Sequence, residues 1–502
     1  MNTTIHNTPA GTVTAAPGKI PYLYIRKDAV YAVSALALGW LFVRSFIFSG
    51  ACLGAFIFTL AAVALGICFI GSAGKLTAKA LIGGAVTLIL AAPTLFSANY
   101  DMRLLAGFSA FASYIVWITY SFGLMPDSDF GGMASILSGV FARPFSRFAD
   151  VWRAVGGGMR DGAGKKLLTS LLGLTTAVPL TFIVLINLAQ ADEVFENKLD
   201  ELVGNISDRM IVNTVSVMLG ILVAMYLFGL LSASRSSAAP KKEQKRFIPA
   251  GFALSLTIPL MLCYAAFFAV QLPYYLSAFG GVLPDGYSFS EYAVKGFFEL
   301  VRVAVINAAV CLAVTLFADG RAVRRSVVTI LGVMTLILLA TAASKLYLYI
   351  DAYSLTLKRV YAAIALIFIA VFFILMIIRQ YTDRLRLTAA ALILCALFSV
   401  TMTFPDWDGV VAGSLIDKAM DGAQSDLTAA ETLSRSPKVT ESLIRAAEDG
   451  SRALSEAAII QLNNRKMTFD ASVSDQNTVL DRIICFNIGE YMSYGMIKDY
   501  YM

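Results

Sequence analysis

Four charged residues recur along one stretch at helical spacing: Glu291, Lys295, Glu299 and Arg302, at steps of four, four and three. Steps of three and four place side chains on one helix face, so these form a single stripe of alternating charge. Asn307 lies five residues further on, off the centre of that stripe. Upstream, Ser288 to Glu291 has the capping-box pattern, in which the Ser hydroxyl and the Glu carboxylate satisfy the first open amides of a helix. A second group, Asp351, Tyr353 and Arg359, follows about fifty residues later. The chemistry these types support is recognition: ion pairing and hydrogen bonding with a polar partner. Arg302 and Asn307 fall inside an apolar run, where an unpaired charge or amide costs a few kcal/mol. Glu299 and Asp351 are the expected partners. Arg44 is a second cation in an apolar run.

Bond-making chemistry has little material. The only histidine, His6, sits in a polar N-terminal stretch, so no His base, metal ligand or pH switch is available in the body of the chain. The six cysteines show no C-x-x-C spacing. Gly156 to Lys166 is Gly-rich and basic, but Met159 and Lys166 stand where a phosphate loop needs Gly and Ser/Thr. No G-x-S-x-G elbow is present. No catalytic residue, metal or cofactor is expected, and nucleic acid is not an expected partner.

These residues need elements to hold them, and composition says which. Of 502 residues, 58% are hydrophobic and 15% charged, against roughly 45–50% and about 25% in soluble proteins. Mean hydropathy is +0.71. Apolar runs long enough to cross a bilayer fall at about 29–48, 51–71, 80–97, 104–124, 167–190, 210–233, 250–272, 297–318, 326–346, 360–379 and 386–404. Lys and Arg then sort the connections: 22 in one alternating set, 7 in the other. Basic connections stay in the cytoplasm. The fold expected is an all-α integral membrane bundle of about eleven helices, N-terminus in and C-terminus out, with a helical extracytoplasmic tail.

The organisation expected is a polar N-terminal tail at 1–28, a four-helix membrane section at 29–124, a cytoplasmic interfacial segment at 125–166, a seven-helix membrane section at 167–404 and a tail at 405–502. The interfacial segment has apolar residues at helical spacing, with Pro144 as a kink. Arg143, Arg147, Trp152 and Arg153 are its expected contacts with anionic inner-leaflet lipid. In the tail, Ser436-Pro437 should start a helix. Val439, Leu443, Ile444, Ala447, Leu454, Ala458 and Leu462 give it an apolar stripe.

Three blocks carry a family resemblance. Phe267 to Val301 (FFAVQLPYY…SFSEYAVKGFFELV), Leu346 to Tyr361 (LYLYIDAYSLTLKRVY) and Asp406 to Ala412 (DWDGVVA) resemble, in order and spacing, a bacterial multi-pass membrane family known as domain of unknown function 4173, related to 4153. Val294 and Ser354 stand where that pattern has Arg and Gly; the Arg-Tyr-Asn motif expected soon after the third block is missing there, and Ile483 to Ile488 resembles a displaced version of it. The resemblance implies a multi-pass protein of a bacterial cytoplasmic membrane. It implies no activity or ligand. The function expected is a non-enzymatic sensor, scaffold or partner-binding module with a polar outward-facing site, with the tail as a surface for a protein partner. Transport of a small solute or ion is the alternative, and a membrane-embedded lipid or glycosyl transferase is a more distant one. The outer elbows at 285–302 and 347–361 are expected to touch.

Overall fold

The computed structural model describes residues 26–155, 208–237, 246–278, 297–422 and 428–502 except 475 and 477, with scattered positions between 170 and 195. Ten long helices make the membrane part: α1 (Arg26–Val43), α2 (Leu53–Ser72), α3 (Ala78–Ala91), α4 (Tyr100–Ser121), α5 (Asp208–Ser236), α6 (Ala250–Ala278), α7 (Phe297–Phe317), α8 (Arg321–Tyr353), α9 (Leu357–Tyr381) and α10 (Leu387–Thr403). Five more form the C-terminal region: α11 (Trp407–Met420), α12 (Pro437–Asp449), α13 (Arg452–Ser474), α14 (Val479–Cys485) and α15 (Ile488–Tyr500). Among the described residues nine helices are long and apolar enough to cross a membrane, or ten if α10 and α11, bent by 45°, form one span. Ten of the eleven expected spans coincide with these helices. The other, 167–190, falls mostly outside the described residues, as do the capping box at Ser288 and the Gly-rich stretch.

Apolar packing divides the molecule into three cores. The first joins α1, α2, α4 and α5 around Phe69, Ile118 and Phe228. The second joins α6 to α9 around Leu331, Phe373 and Met376. The third is built by the C-terminal helices, but Met102 of α4, Val360 and Ile364 of α9 and Met402 of α10 belong to it. The C-terminal region is therefore a cap seated on one end of the bundle.

Local chemistry explains the joints. The α1–α2 turn is so short that Gly50 and Ala51 both take positive φ, 64° and 57°. Gly39 of α1 faces Gly220 of α5, and a Cβ on Gly39 would run into the Gly220 carbonyl. Small residues let membrane helices close to backbone contact where no hydrophobic effect drives them together. This crossing is antiparallel, because Asp28 at the start of α1 pairs with Arg235 at the end of α5 at 3.2 Å.

In the cap, Ser436 does cap a helix, its Oγ accepting from the Val439 N–H at 3.3 Å, with Pro437 at the first helical position. The stripe does not run through one helix. Gly450 lies so close to the Ala446 carbonyl that a side chain there would collide, and the chain folds back as the α12–α13 hairpin. Val439, Leu443, Leu454, Ala458 and Leu462 are all fully buried.

The segment after α4 departs from a free amphipathic helix. It forms a helix Asp129–Leu137, a π turn Ser138–Ala142 and a short helix Asp150–Val155. It packs against α5: the Tyr226 hydroxyl donates to the Val140 carbonyl at 2.9 Å, and Gly229 admits the Pro144 carbonyl. Pro144, which cannot donate to the helix ladder, stands in a four-residue helix Arg143–Ser146 directly after the π turn, and the helix breaks just beyond it, at 147–149.

Candidate functional site

Asn99 caps α4. Its Oδ1 accepts from the N–H groups of Asp101 (3.0 Å) and Met102 (3.2 Å), which satisfies amides a helix start leaves open. Its Nδ2 donates to Asp408 Oδ2 at 2.8 Å and to the Tyr361 hydroxyl at 3.4 Å. Asp408 is buried and its other oxygen accepts from the Ser434 N–H at 2.7 Å. One amide thus joins α4, α9, α11 and the loop before α12.

Two cations in the bundle are completed by the cap. Arg103, 6% exposed, pairs with Glu490 at 2.8 Å. Arg44, at the end of α1, pairs with Asp481. Asn487 donates to the carbonyls of Thr94 (3.4 Å) and Ser97 (3.0 Å), and the Leu53 N–H donates to the Phe486 carbonyl at 3.0 Å. Arg465 of α13, also buried, donates to the carbonyls of Ser434, Ala430 and Leu433 at 2.8–3.3 Å. It holds the loop 430–435 in place, and burial pushes its guanidinium down to about 10.

These contacts border a half-open cavity of about 960 Å³ between bundle and cap. Its charged wall is Asp101, Arg103, Lys358, Glu431, Arg435 and Glu490, with Asn99 and Tyr361 beside them. Arg103 and Glu490 are spent on each other, and Glu431 accepts from Gln461 at 2.7 Å. Among the described residues Asp101, Lys358 and Arg435 make no ion pair or side-chain hydrogen bond, so two cations and one anion face the space uncommitted.

The residues expected from sequence are distributed otherwise. Glu291 and Lys295 lie outside the described residues, so the elbow at 285–302 is seen only from Phe297. Arg302 pairs with Glu299 at 2.8 Å, both well exposed, an arrangement of small energetic weight when solvated. Glu299 also acts on Lys345 of α8, which puts the start of α7 beside the end of α8. Asn307 is fully buried. It accepts from the Tyr264 hydroxyl at 2.8 Å and donates to Thr335 at 2.9 Å, tying α6, α7 and α8 together. Asp351 is exposed. The side chain of Tyr353 lies outside the described residues. Arg359 donates to the Ser354 carbonyl and stacks on Tyr349 at 3.8 Å. The second elbow does reach the cavity, through Thr356, Leu357, Lys358 and Tyr361.

Of the four expected lipid contacts, Arg143 turns inward. It is 7% exposed and donates to Thr119 (3.1 Å) and Ser135 (2.6 Å), and burial lowers its pKa. Arg147 and Arg153 both pair with buried Asp150, at 3.2 and 3.1 Å. Trp152 packs on the first core. Arg153 remains mostly exposed, and so do Phe141 and Phe145.

Fold and site define a class: an all-helical, multi-span membrane protein closed at one end by its own C-terminal helices. The family model for the domain of unknown function DUF4153 matches residues 29–440, and the chain belongs to that family. The match takes in the helices of the membrane part from residue 29 on, α11 and the first residues of α12, and every named wall residue of the cavity except Glu490. No curated protein and no solved structure matches the chain.

Sequence spacing missed Asn99, Arg103, Asp408, Glu490 and Asp481. Arg44 and Arg103 stand out in sequence as cations near span ends, but their acids lie 437 and 387 residues further along, where no local spacing points to them.

Proposed function

We propose that this chain is a non-enzymatic membrane module of the sensor, scaffold or partner-binding class, which holds a small polar ligand in the cavity under its cap. The observation that carries this is the 960 Å³ cavity walled jointly by bundle and cap, a size typical of small-molecule sites. A ligand there touches both bodies at once, so its binding is coupled to how the cap sits. The transport alternative is weakened by the polar cluster at membrane depth: Tyr264, Asn307 and Thr335 satisfy one another, as packing groups do.

The full reading has eleven spans, N-terminus in, with the cap outside a bacterial cytoplasmic membrane. Three things support it. Asn99 bonds to Tyr361 and Asp408, all from connections expected outside. Arg379 pairs with Asp129, and Arg386 with Asp127, all expected inside. Finally, α5 runs antiparallel to α1 while the segment before it packs on the inner half of α5, which asks for one more crossing between 155 and 208. The motif blocks also support kinship with the related family 4173. Arg153, Phe141 and Phe145 are the side chains of the inner segment best placed to meet anionic lipid.

The test is a deletion strain profiled for envelope stress and solute uptake, then complemented with Lys358→Glu/Arg435→Glu. The expected result is loss of complementation with the protein inserted and folded. Full complementation by that variant overturns the cavity reading, and an uptake defect for one solute class favours transport instead.

A further inference from the structure

At the end of the bundle opposite the cap, four arginines surround a small depression. Arg246 precedes α6, Arg321 and Arg324 begin α8, and Arg379 ends α9; Asp129 and Asp383 complete the charged wall. Four guanidinium groups therefore face two carboxylates. The acids are already engaged, because Arg379 pairs with Asp129 at 2.8 Å and with Asp383 at 3.2 Å, and Arg321 with Asp383 at 3.3 Å.

The remaining two cations share one neutral acceptor. Arg246 and Arg324 both donate to the Ala318 carbonyl, at 3.3 and 3.2 Å. A single carbonyl cannot offset two positive charges brought to the same oxygen, and like charges this close repel unless an anion joins them. Each guanidinium has five N–H donors and spends only a fraction of them here. The start of α8 adds to the same field. Gly320, at φ 79°, offers it no side-chain cap, so its first amides stay open and the positive end of a 33-residue helix faces the depression.

The free space is about 60 Å³, roughly that of two waters. The group held between the arginines is therefore small, on the scale of one oxyanion. Around it the rings are placed as at a membrane interface. Phe247 packs against Phe317 with ring centroids 4.9 Å apart and planes tilted by 41°, and is exposed; Tyr381, also exposed, lies under Arg325 at 3.9 Å. Aromatic residues gather at headgroup depth, and basic pockets between helix ends take phosphate headgroups.

We infer that Arg246, Arg321, Arg324 and Arg379 form a binding site for one phosphate group, supplied by an anionic phospholipid headgroup or by a free phosphate. This site is separate from the cap cavity and does not depend on it. Gln380, whose Nε2 donates to Thr315 Oγ1 at 3.1 Å, fixes the wall behind the anion.

The test uses the full chain in a neutral detergent, with the thermal unfolding midpoint followed against phosphatidylglycerol, phosphatidylcholine and inorganic phosphate at constant ionic strength. Phosphatidylglycerol is expected to raise the midpoint and phosphatidylcholine not to. Arg246→Gln/Arg324→Gln should weaken the response by roughly tenfold in concentration. Arg321→Gln, at an exposed position, keeps the test valid if the double variant does not fold, and should weaken the response severalfold. A rise with inorganic phosphate alone, lost in the same variants, assigns the site to a free oxyanion. Responses that are equal in the wild-type chain and in every folded variant overturn the site.

Discussion

Asn99 does two jobs with one side chain: its oxygen caps α4 and its nitrogen ties α4 to Asp408 and Tyr361. Removing both should cost roughly 2–4 kcal/mol, the sum of a lost cap and a lost hydrogen bond to a carboxylate. Asn99→Ala is therefore expected to lower the unfolding midpoint in detergent. Asn99→Asp separates the two jobs. It keeps the cap but sets a carboxylate against Asp408, and like charges raise the pKa of one of the pair. Its deficit should shrink as pH falls through about 5, whereas that of Asn99→Ala should not. None of this was legible from spacing. The stripe Glu291–Arg302 was visible because its members are neighbours on one helix. Asn99 meets a partner 309 residues away, and Arg103 one 387 away, and no local period encodes such pairs.

At the scale of the element, the spans were legible because a bilayer demands long apolar runs, and Lys and Arg mark where they turn. What sequence left open was which helices touch. A Gly pair gives no periodic signal, yet Gly39 and Gly220 let α1 and α5 meet backbone to backbone. Gly39→Ala should destabilise by roughly 1–3 kcal/mol, the usual cost of overpacking, and Gly39→Val by more. Detergent unfolding would show it, and an unchanged midpoint would mean the helices can slide apart without loss. The cap stripe reads as one helix in sequence because Ala447 and Leu454 keep a seven-residue step across Gly450 and Ser451. The hairpin they create buries the same residues from both arms. The segment at 129–155 has the pattern of a surface helix, but the inward turn of Arg143 depends on Thr119 and Ser135, which lie 24 and 8 residues away.

At the scale of the whole molecule, cap and bundle complete each other's charges. Losing the acid of a buried pair strands the cation, at roughly 3–5 kcal/mol. Glu490→Gln should therefore be harmful, and Arg103→Gln/Glu490→Gln less harmful than Glu490→Gln alone. Cys52, under the docked cap, reports the same event. It is 4% exposed, and the next residue, Leu53, donates its N–H to the Phe486 carbonyl of the cap. Maleimide labelling of Cys52 at neutral pH should be slow in the intact chain and faster in Glu490→Gln. Equal rates would mean that the ion pair does not hold the cap down.

The pairing of Arg44 with Asp481 and of Arg103 with Glu490 also has a history within each molecule's synthesis. The cations enter the membrane with the first four helices, while their acids are 437 and 387 residues further along. At the usual pace of translation that gap lasts on the order of 20–90 s. Throughout it the N-terminal half must carry two unneutralised arginines at the very surface the cap will cover. A ribosome that stops after α10 would leave a chain with its spans inserted but that surface still charged, a ready signature for quality control to read. The last helices are thus the step that certifies the first.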